Sequence, residues 1–339
     1  LYENEIMSST ATVRIMSAEE IAARSGGQTP FFALPQVASM FAEREMRLRQ
    51  LAAGHAMSDF LLFAAELAHV QHDCLQGYAG VPLPSADEVA RASKMGVPLL
   101  PAGDWPRAGI WRDELQSMLR ALSERVPPST HAVLKRVCDA SDDWLEQQAD
   151  CLLTNVTHGL DMGAAPLIAA GLQVYWTHMV AATQAMYASD AGPFGRIDDI
   201  SVCPCCGSRP TASIVRLSGE LAGQRYLHCS LCSAQWHLER IKCAACLSTK
   251  HIAYQSLQPA HHEGDDAAPA AVQAEACDDC GSYLKIMHTE RDALVEPMAD
   301  DLATVMLDLL VSESGKVRHG VNFMLLYGEP EPPPDTGLQ

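Results

Sequence analysis

Between Ser58 and Tyr78 the apolar positions Phe60, Phe63, Leu67, Val70 and Cys74 recur at intervals of three and four, which places them on one face of a helix. That face predicts a core-facing stripe. The same periodicity predicts helices over Arg112 to Val126, Ser129 to Asn155 and Ala165 to Ala188, separated by Pro127-Pro128 and by Thr157-His158-Gly159. Ser17 and Glu20 have the spacing of a capping box and mark a further helix start. Val81 to Gly109, with Pro82, Pro84, Pro98, Pro101 and Pro106, is a long connection holding one short helix near Ser85 to Lys94. Residues 17–190 are therefore expected to form an α-helical domain, a bundle with one wandering loop.

The period changes after Ala191-Gly192-Pro193-Phe194-Gly195, which reads as a linker. Short apolar pieces at Ala212 to Leu217, Gln235 to Leu238, His251 to Leu257 and Tyr283 to Met287 stand between turn residues and predict strands. Helical spacing returns over Ala299 to Ser312 and Val317 to Tyr327, and the chain then runs into Pro330, Pro332, Pro333 and Pro334, which cannot continue a helix. The fold class expected is mainly α with a small β portion. Residues 17–190 form the bundle, 200–242 and 243–290 form two tandem modules, and the helices of 298–327 pack back on the bundle.

Composition narrows the class. The chain has 339 residues, 48% of them hydrophobic and 19% charged, which supplies a core and excludes wholesale disorder. With 24 basic and 42 acidic residues the net charge is −18, which repels phosphate backbones and favours cationic partners. No apolar run reaches the roughly 18 residues that a membrane span needs. Leu1 to Met16 lack the basic start and apolar stretch of a secretory signal, so a cytoplasmic location is expected.

Nine of the twelve cysteines fall in the β-rich zone, eight of them in four Cys-x-x-Cys pairs: Cys203/Cys206, Cys229/Cys232, Cys243/Cys246 and Cys277/Cys280. Two thiolates three positions apart can face one point, so each pair supplies half of a tetrahedral four-sulfur site. Twenty-two residues separate the first two pairs, thirty the last two and only ten the second from the third, which favours consecutive over nested or interleaved pairing. Each half then reads as knuckle, strand, loop, strand, knuckle, the pattern of a rubredoxin-like or zinc-ribbon-like module. Gly207 and Gly281, just after the second cysteine of their pairs, suit a positive φ where the backbone wraps the site. A reducing compartment disfavours disulfides between these thiols. Sulfur tetrahedra suit zinc and iron alike, and a closed four-thiolate site offers no open position for hydrolysis, so no catalytic residue is expected.

Cys205 competes with Cys206 in the first knuckle, but the recurring two-residue spacing selects Cys206 and leaves Cys205 a spectator or a reactive neighbour. Cys74, Cys138 and Cys151 sit on helical stripes and read as packing. Glu66-x-x-His69 is half of a di-iron carboxylate motif without its second half, hence a polar helix face. His228 and His237 flank the second knuckle and read either as donors to thiolates or as ordinary strand residues. Ser201 to Thr289 hold seven basic and eight acidic residues, so the acidity belongs to the helices. Asp139, Asp142, Asp143, Glu146 and Asp150 form a cluster that reads as a solvated face, or as a dock for an arginine-bearing peptide.

The runs Cys203-Pro204-Cys205-Cys206-Gly207-Ser208-Arg209-Pro210, Leu227-His228-Cys229-Ser230-Leu231-Cys232 with Trp236, Cys243-Ala244-Ala245-Cys246 and Cys277-Asp278-Asp279-Cys280-Gly281-Ser282-Tyr283-Leu284-Lys285 together resemble the FdhE family, the formate dehydrogenase accessory or formation proteins. The resemblance extends to Arg47-Leu48-Arg49-Gln50-Leu51-Ala52-Ala53-Gly54-His55. It implies a cytoplasmic, non-enzymatic protein required to make active formate dehydrogenase. Two iron ions, with zinc as the alternative, would be held by the eight paired cysteines. The implied partner is the catalytic subunit of respiratory formate dehydrogenases, whose twin-arginine signal segment would supply the cation that the net charge favours. Cys205 departs from the family's first knuckle, where a non-cysteine is expected. The alternative from another class is a zinc-ribbon nucleic-acid module, which would need a basic, aromatic-bearing surface around the knuckles and which the near-neutral charge of Ser201 to Thr289 weakens. A rubredoxin-type electron carrier is a third reading; the long helical bundle would be superfluous for that alone, but electron transfer could be one component of the accessory role. The expectation is therefore a protein partner, with no nucleic acid and no membrane span.

Overall fold

The computed structural model describes residues 30–78, 80–188, 192–216, 223–257 and 270–325. The capping box at Ser17 and the proline tail lie outside them. Helices α1 (Met40–Ala52), α2 (Ser58–Gln76), α3 (Ala86–Met95), α4 (Ile110–Ser123), α5 (His131–Cys138), α6 (Asp142–Thr154) and α7 (Ala165–Met186) build the bundle. The chain buries α7 on nearly every side, from Leu167 and Ile168 to Met179 and Val180, so this helix is the axis around which the others pack. Trp111, Leu115, Leu119 and Leu122 of α4 face it. Gly171 allows the approach, because a Cβ there would stand 3.0 Å from Leu115 Cδ1.

The single helix expected over Ser129 to Asn155 is instead a short 3₁₀ turn at Pro128–Thr130 followed by α5 and α6. The break lies at Asp139-Ala140-Ser141. Ser141 has extended backbone, and its Oγ accepts the Trp144 N–H, so a local cap restarts the helix where periodicity alone would have run through.

Strands β1 (Phe32–Ala33), β2 (Pro210–Val215), β3 (Arg225–Cys229), β4 (Gln235–His237), β5 (Ile252–Gln255), β6 (Val272–Cys277), β7 (Ser282–His288) and β8 (Val317–Arg318) form one mixed sheet. Its order is β1-β4-β3-β2-β7-β6-β5, with β8 also on β7. The arrangement β4-β3-β2 is repeated as β7-β6-β5, each antiparallel within itself, and the two are joined where β2 runs parallel to β7. Because β2 and β7 each follow a cysteine knuckle and point the same way, the knuckles of both halves lie at one end of the sheet.

After β7 come α8 (Pro297–Ala303) and α9 (Val305–Glu313). Ala299 and Leu302 of α8 pack against Leu48, Ala52, Leu61 and Ala65 of α1 and α2, so α8 returns to the bundle, whereas Leu307 and Val311 of α9 pack on the sheet beside Ala212, Tyr226 and Tyr283. Arg47 reinforces that contact, reaching Asp300 and Asp292 at 2.6 Å each, and Arg44 reaches Glu296 at 3.1 Å. His55 Nε2 stands 2.9 Å from the Ala303 carbonyl.

The helix expected over Val317 to Tyr327 is not formed in its described part. Val317–Arg318 is β8, and the N–H groups of Val317, His319 and Val321 donate to the carbonyls of Gly281, Tyr283 and Pro210. The segment thus completes the sheet where β2 and β7 begin. Gly320 makes this possible, since a Cβ there would collide with the Thr211 carbonyl. Satisfying open sheet carbonyls outweighs the helical spacing of the side chains.

Candidate metal centres

The eight paired cysteines fall into two groups of four, Cys203, Cys206, Cys229 and Cys232 in one and Cys243, Cys246, Cys277 and Cys280 in the other, each with its sulfurs within 4.8 Å of one another. The pairing is consecutive. In the first group the sulfurs of Cys203 and Cys232 are 3.5 Å apart, Cys206 and Cys229 3.4 Å, and Cys206 and Cys232 3.6 Å. In the second, Cys243 and Cys280 are 3.7 Å apart and Cys246 and Cys277 3.8 Å. A tetrahedron of sulfurs about 2.3 Å from a central ion has edges of about 3.8 Å, whereas a disulfide needs about 2.05 Å. All twelve cysteines are free thiols. The donor set therefore fits a tetrahedral, sulfur-loving ion and not cross-linking.

A common local fold builds all four knuckles. The residue after the second cysteine has positive φ in each: Gly207 at 73°, Ser233 at 57°, Leu247 at 62° and Gly281 at 71°. This left-handed residue turns the backbone inward. The N–H groups of Gly207, Leu247 and Gly281 donate to the carbonyls of Cys203, Cys243 and Cys277, closing the turn. Backbone N–H groups then point at sulfur: Leu231 and Cys232 each lie 3.4 Å from Cys229 Sγ, and Ala245 lies 3.4 Å from Cys243 Sγ. Such donors stabilise thiolate charge, which a metal ligand must carry. Burial works to raise the Cys203 thiol but is outweighed by the surrounding sulfurs, which hold it well below its ordinary range. At Cys280 burial is outweighed by Ser282 and by Cys246 and Cys243, and the thiol falls to about 7, whereas burial and the neighbouring sulfurs push Cys229 and Cys232 well up and Cys243 up to about 12, so without an ion the charge of each group is concentrated on one sulfur.

The two groups differ in surroundings. All four cysteines of the first are buried and belong to the main apolar core together with Trp176 and Trp236. The proline-rich connection clasps this knuckle, with Leu100 and Ala102 N–H donating to the Cys205 and Cys206 carbonyls at 2.9 Å and Trp176 Nε1 to the Leu100 carbonyl. Cys205 is buried beside the group but outside the four. In the second group Cys246 and Cys280 are exposed. It is ringed by polar contacts: Asp279 with His251 at 2.8 Å and with Ser248, and Lys316 with Asp278 and the Cys277 carbonyl.

The histidines beside the second knuckle do not reach sulfur. His228 Nδ1 lies 3.3 Å from Gln235 Nε2, and His237 Nε2 lies 3.1 Å from Gln224 Oε1. Burial, with Arg44 and Arg216 nearby, pushes the His228 imidazolium down to about 3, so the ring is neutral. Glu66 is taken by Arg49 and Arg125, and His69 by Glu45 and Asp73, which is the polar helix face expected. The acidic cluster of α6 is partly spent as well, because Arg107 and Arg112 bind Glu146, Asp150 and Asp142. What sequence reasoning missed is Ser233 and Leu247 as turn residues and the clasp at Leu100 to Ala102. The four equal spacings were the available signal for the turns, and none existed for the clasp.

Three family models match in succession: FdhE, N-terminal over residues 29–190, the FdhE central domain over 202–240 and the FdhE C-terminal domain over 241–325. A protein FdhE homolog of Serratia proteamaculans is 35% identical over 322 residues, covering 94% of this chain and 99% of that protein. One from Klebsiella pneumoniae is 34% identical over 323 residues, 94% of this chain and 100% of that protein. The crystal structure of the FdhE protein from Pseudomonas aeruginosa superposes with a TM-score of 0.75 at 32% identity, covering 87% of this chain and 98% of the other. Likeness in sequence and in fold, spanning these relatives nearly end to end, leads to one conclusion: the chain belongs to the FdhE family.

Proposed function

We propose that this protein is a cytoplasmic accessory factor for formate dehydrogenase, without enzymatic activity of its own. In this reading it binds the immature catalytic subunit and supports cofactor maturation or redox readiness through two thiolate-held metal ions. Iron is the ion favoured, with zinc as the alternative. Family membership supports the role, and the unequal burial of the two sulfur groups carries the division of labour. Cys203, Cys206, Cys229 and Cys232 fasten the sheet to the bundle. Cys246 and Cys280 bring two sulfurs of the second group to the surface, where a partner can approach. Iron, when bound, would supply one-electron chemistry in a closed four-sulfur shell, and zinc would supply rigidity alone. The net charge of −18 suits a partner segment bearing arginine.

The test is oxygen-free purification of the full chain and of a Cys246→Ser/Cys280→Ser variant, each with tagged catalytic subunit. The expected result is two metal ions per wild-type chain, the red absorption of iron bound to sulfur, and retention of the subunit. The variant loses one ion and weakens the association. Failure of the wild type to retain the subunit under both reducing and oxidising conditions sinks the proposal. The exposed sulfurs also suit a rubredoxin-type electron carrier, which predicts reversible reduction with no lasting association.

A further inference from the structure

A cavity of about 650 Å³ lies where α1, the strands β2 to β4 and the turn before α8 meet. It is distinct from the sulfur groups, since no cysteine lines it. Three polar atoms in its lining are buried without a hydrogen-bond partner among the described residues: Arg44 Nη2, Arg216 Nε and His228 Nε2. Arg44 and His228 are each only 5% exposed.

The bonds that these side chains do make decide what the orphaned atoms are. Arg216 Nη2 donates to Gln235 Oε1 at 2.8 Å, which fixes the orientation of that amide. The Gln235 NH₂ group therefore faces His228 Nδ1 at 3.3 Å and donates to it. An imidazole that accepts at Nδ1 carries its proton at Nε2, so the unpartnered His228 atom is a donor. Arg44 spends its Nε on Glu296 and lays its guanidinium over the Phe41 ring, leaving Nη2 free. The orphaned atoms are thus three donors and no acceptor. A buried donor left without an acceptor is costly, so all three are held ready for something that accepts. Glu296 is engaged by Arg44 and by the N–H groups of Met298 and Ala299. Glu43 also lines the cavity and attracts Arg216 electrostatically, so an incoming anion competes with it for that guanidinium. The formal charges of these two arginines and two glutamates cancel, so selection rests on the donors. A guanidinium prefers an anionic acceptor over a neutral one.

We propose that this cavity binds a small organic anion, whose phosphate or carboxylate group accepts from Arg44, Arg216 and His228 while its body lies along the apolar wall at Met40 and Leu294. The volume suits an organic molecule rather than a bare ion, falling within the roughly 300–1,000 Å³ usual for small-molecule sites. The site stands apart from the partner reading above and does not depend on it.

The test uses the metal-loaded full chain in thermal unfolding at constant ionic strength, with inorganic phosphate in one arm, glutarate in the other and chloride as control. At least one of the two anions should raise the melting temperature saturably, and the arm that does so identifies the head group. Arg216→Gln should weaken that binding roughly tenfold or more. Leu294→Trp should block it as well, by filling the cavity from an exposed position while leaving every charged group in place, and it decides the matter should Arg216→Gln fail to fold. A linear, unsaturable response to both anions overturns the proposal, and so does a saturable one that the folded variants retain in full.

Discussion

Leu247 holds a φ of 62° that costs a side-chain-bearing residue roughly 1–2 kcal/mol, and Ser233 holds the same strain at 57°. Both keep it because the turn that gathers two sulfurs needs one left-handed residue at that place, whatever the sequence puts there. Gly207 and Gly281 take it without strain. Around Gly281 nothing stands within 4 Å of an added Cβ. Gly281→Ala should therefore lose about 1 kcal/mol of stability from backbone strain alone, read as a lowered urea midpoint with unchanged metal content. The glycines were legible in advance as turn residues because glycine is the residue for which the conformation is cheapest. Ser233 and Leu247 were not, since their own preferences point elsewhere and the cysteine spacing overrules them. Cys205 was legible as an outsider to its knuckle for the same reason, the spacing shared by the other three pairs.

At the scale of elements, the longest periodic stretches were read well and the interrupted ones were not. The segment from Phe60 to Cys74 became α2, although of its expected core stripe Leu67 and Val70 are buried while Phe60, Phe63 and Cys74 are half-buried, and Leu61, Ala64, Ala65 and Ala68 are buried beside them; the apolar run from Ala165 became α7. The break at Ser141 and the strand at Val317 were hidden, because a cap and an open sheet edge act through hydrogen bonds that hydrophobic spacing does not record. Around β8 those bonds join a buried ionic network: Asp301 meets Arg318 at 2.6 Å, Lys285 at 3.3 Å and Asn322 at 2.8 Å. Burial works to raise the Asp301 carboxyl, but Arg318 and Lys285 outweigh it and hold it below its ordinary 3.8. A depressed carboxyl stabilises the fold fully above the unfolded value and loses that contribution as pH falls through the folded one. Asp301→Asn should thus cost on the order of 3 kcal/mol at neutral pH. In urea unfolding across a pH series, the gap to wild type should hold steady down to about pH 5 and narrow below 3.8. A gap that widens in acid would show that the charge on Asp301 is not what holds β8.

Across the whole molecule, the eight sulfurs and their consecutive pairing could be read from spacing. Their unequal burial could not, because it depends on where the bundle and the proline-rich connection come to rest against the sheet. That inequality predicts how the metal-loaded protein yields its ions to a chromogenic chelator. One equivalent should leave promptly from the exposed group, and the other only as the core unfolds. Cys246→Ser/Cys280→Ser should abolish the prompt phase and spare the slow one, whereas equal release of both ions would mean that burial does not govern access. A last consequence follows from the clasp of Arg47 on Asp300, which spans 253 positions of the chain. Helix α1 buries two guanidinium groups, those of Arg44 and Arg47, whose counter-charges on Glu296 and Asp300 are translated 252 and 253 residues later. A nascent chain must therefore keep these early helices loosely held until the ribosome has passed Asp300, so that the bundle and the segment after β7 reach their stable form together rather than one after the other.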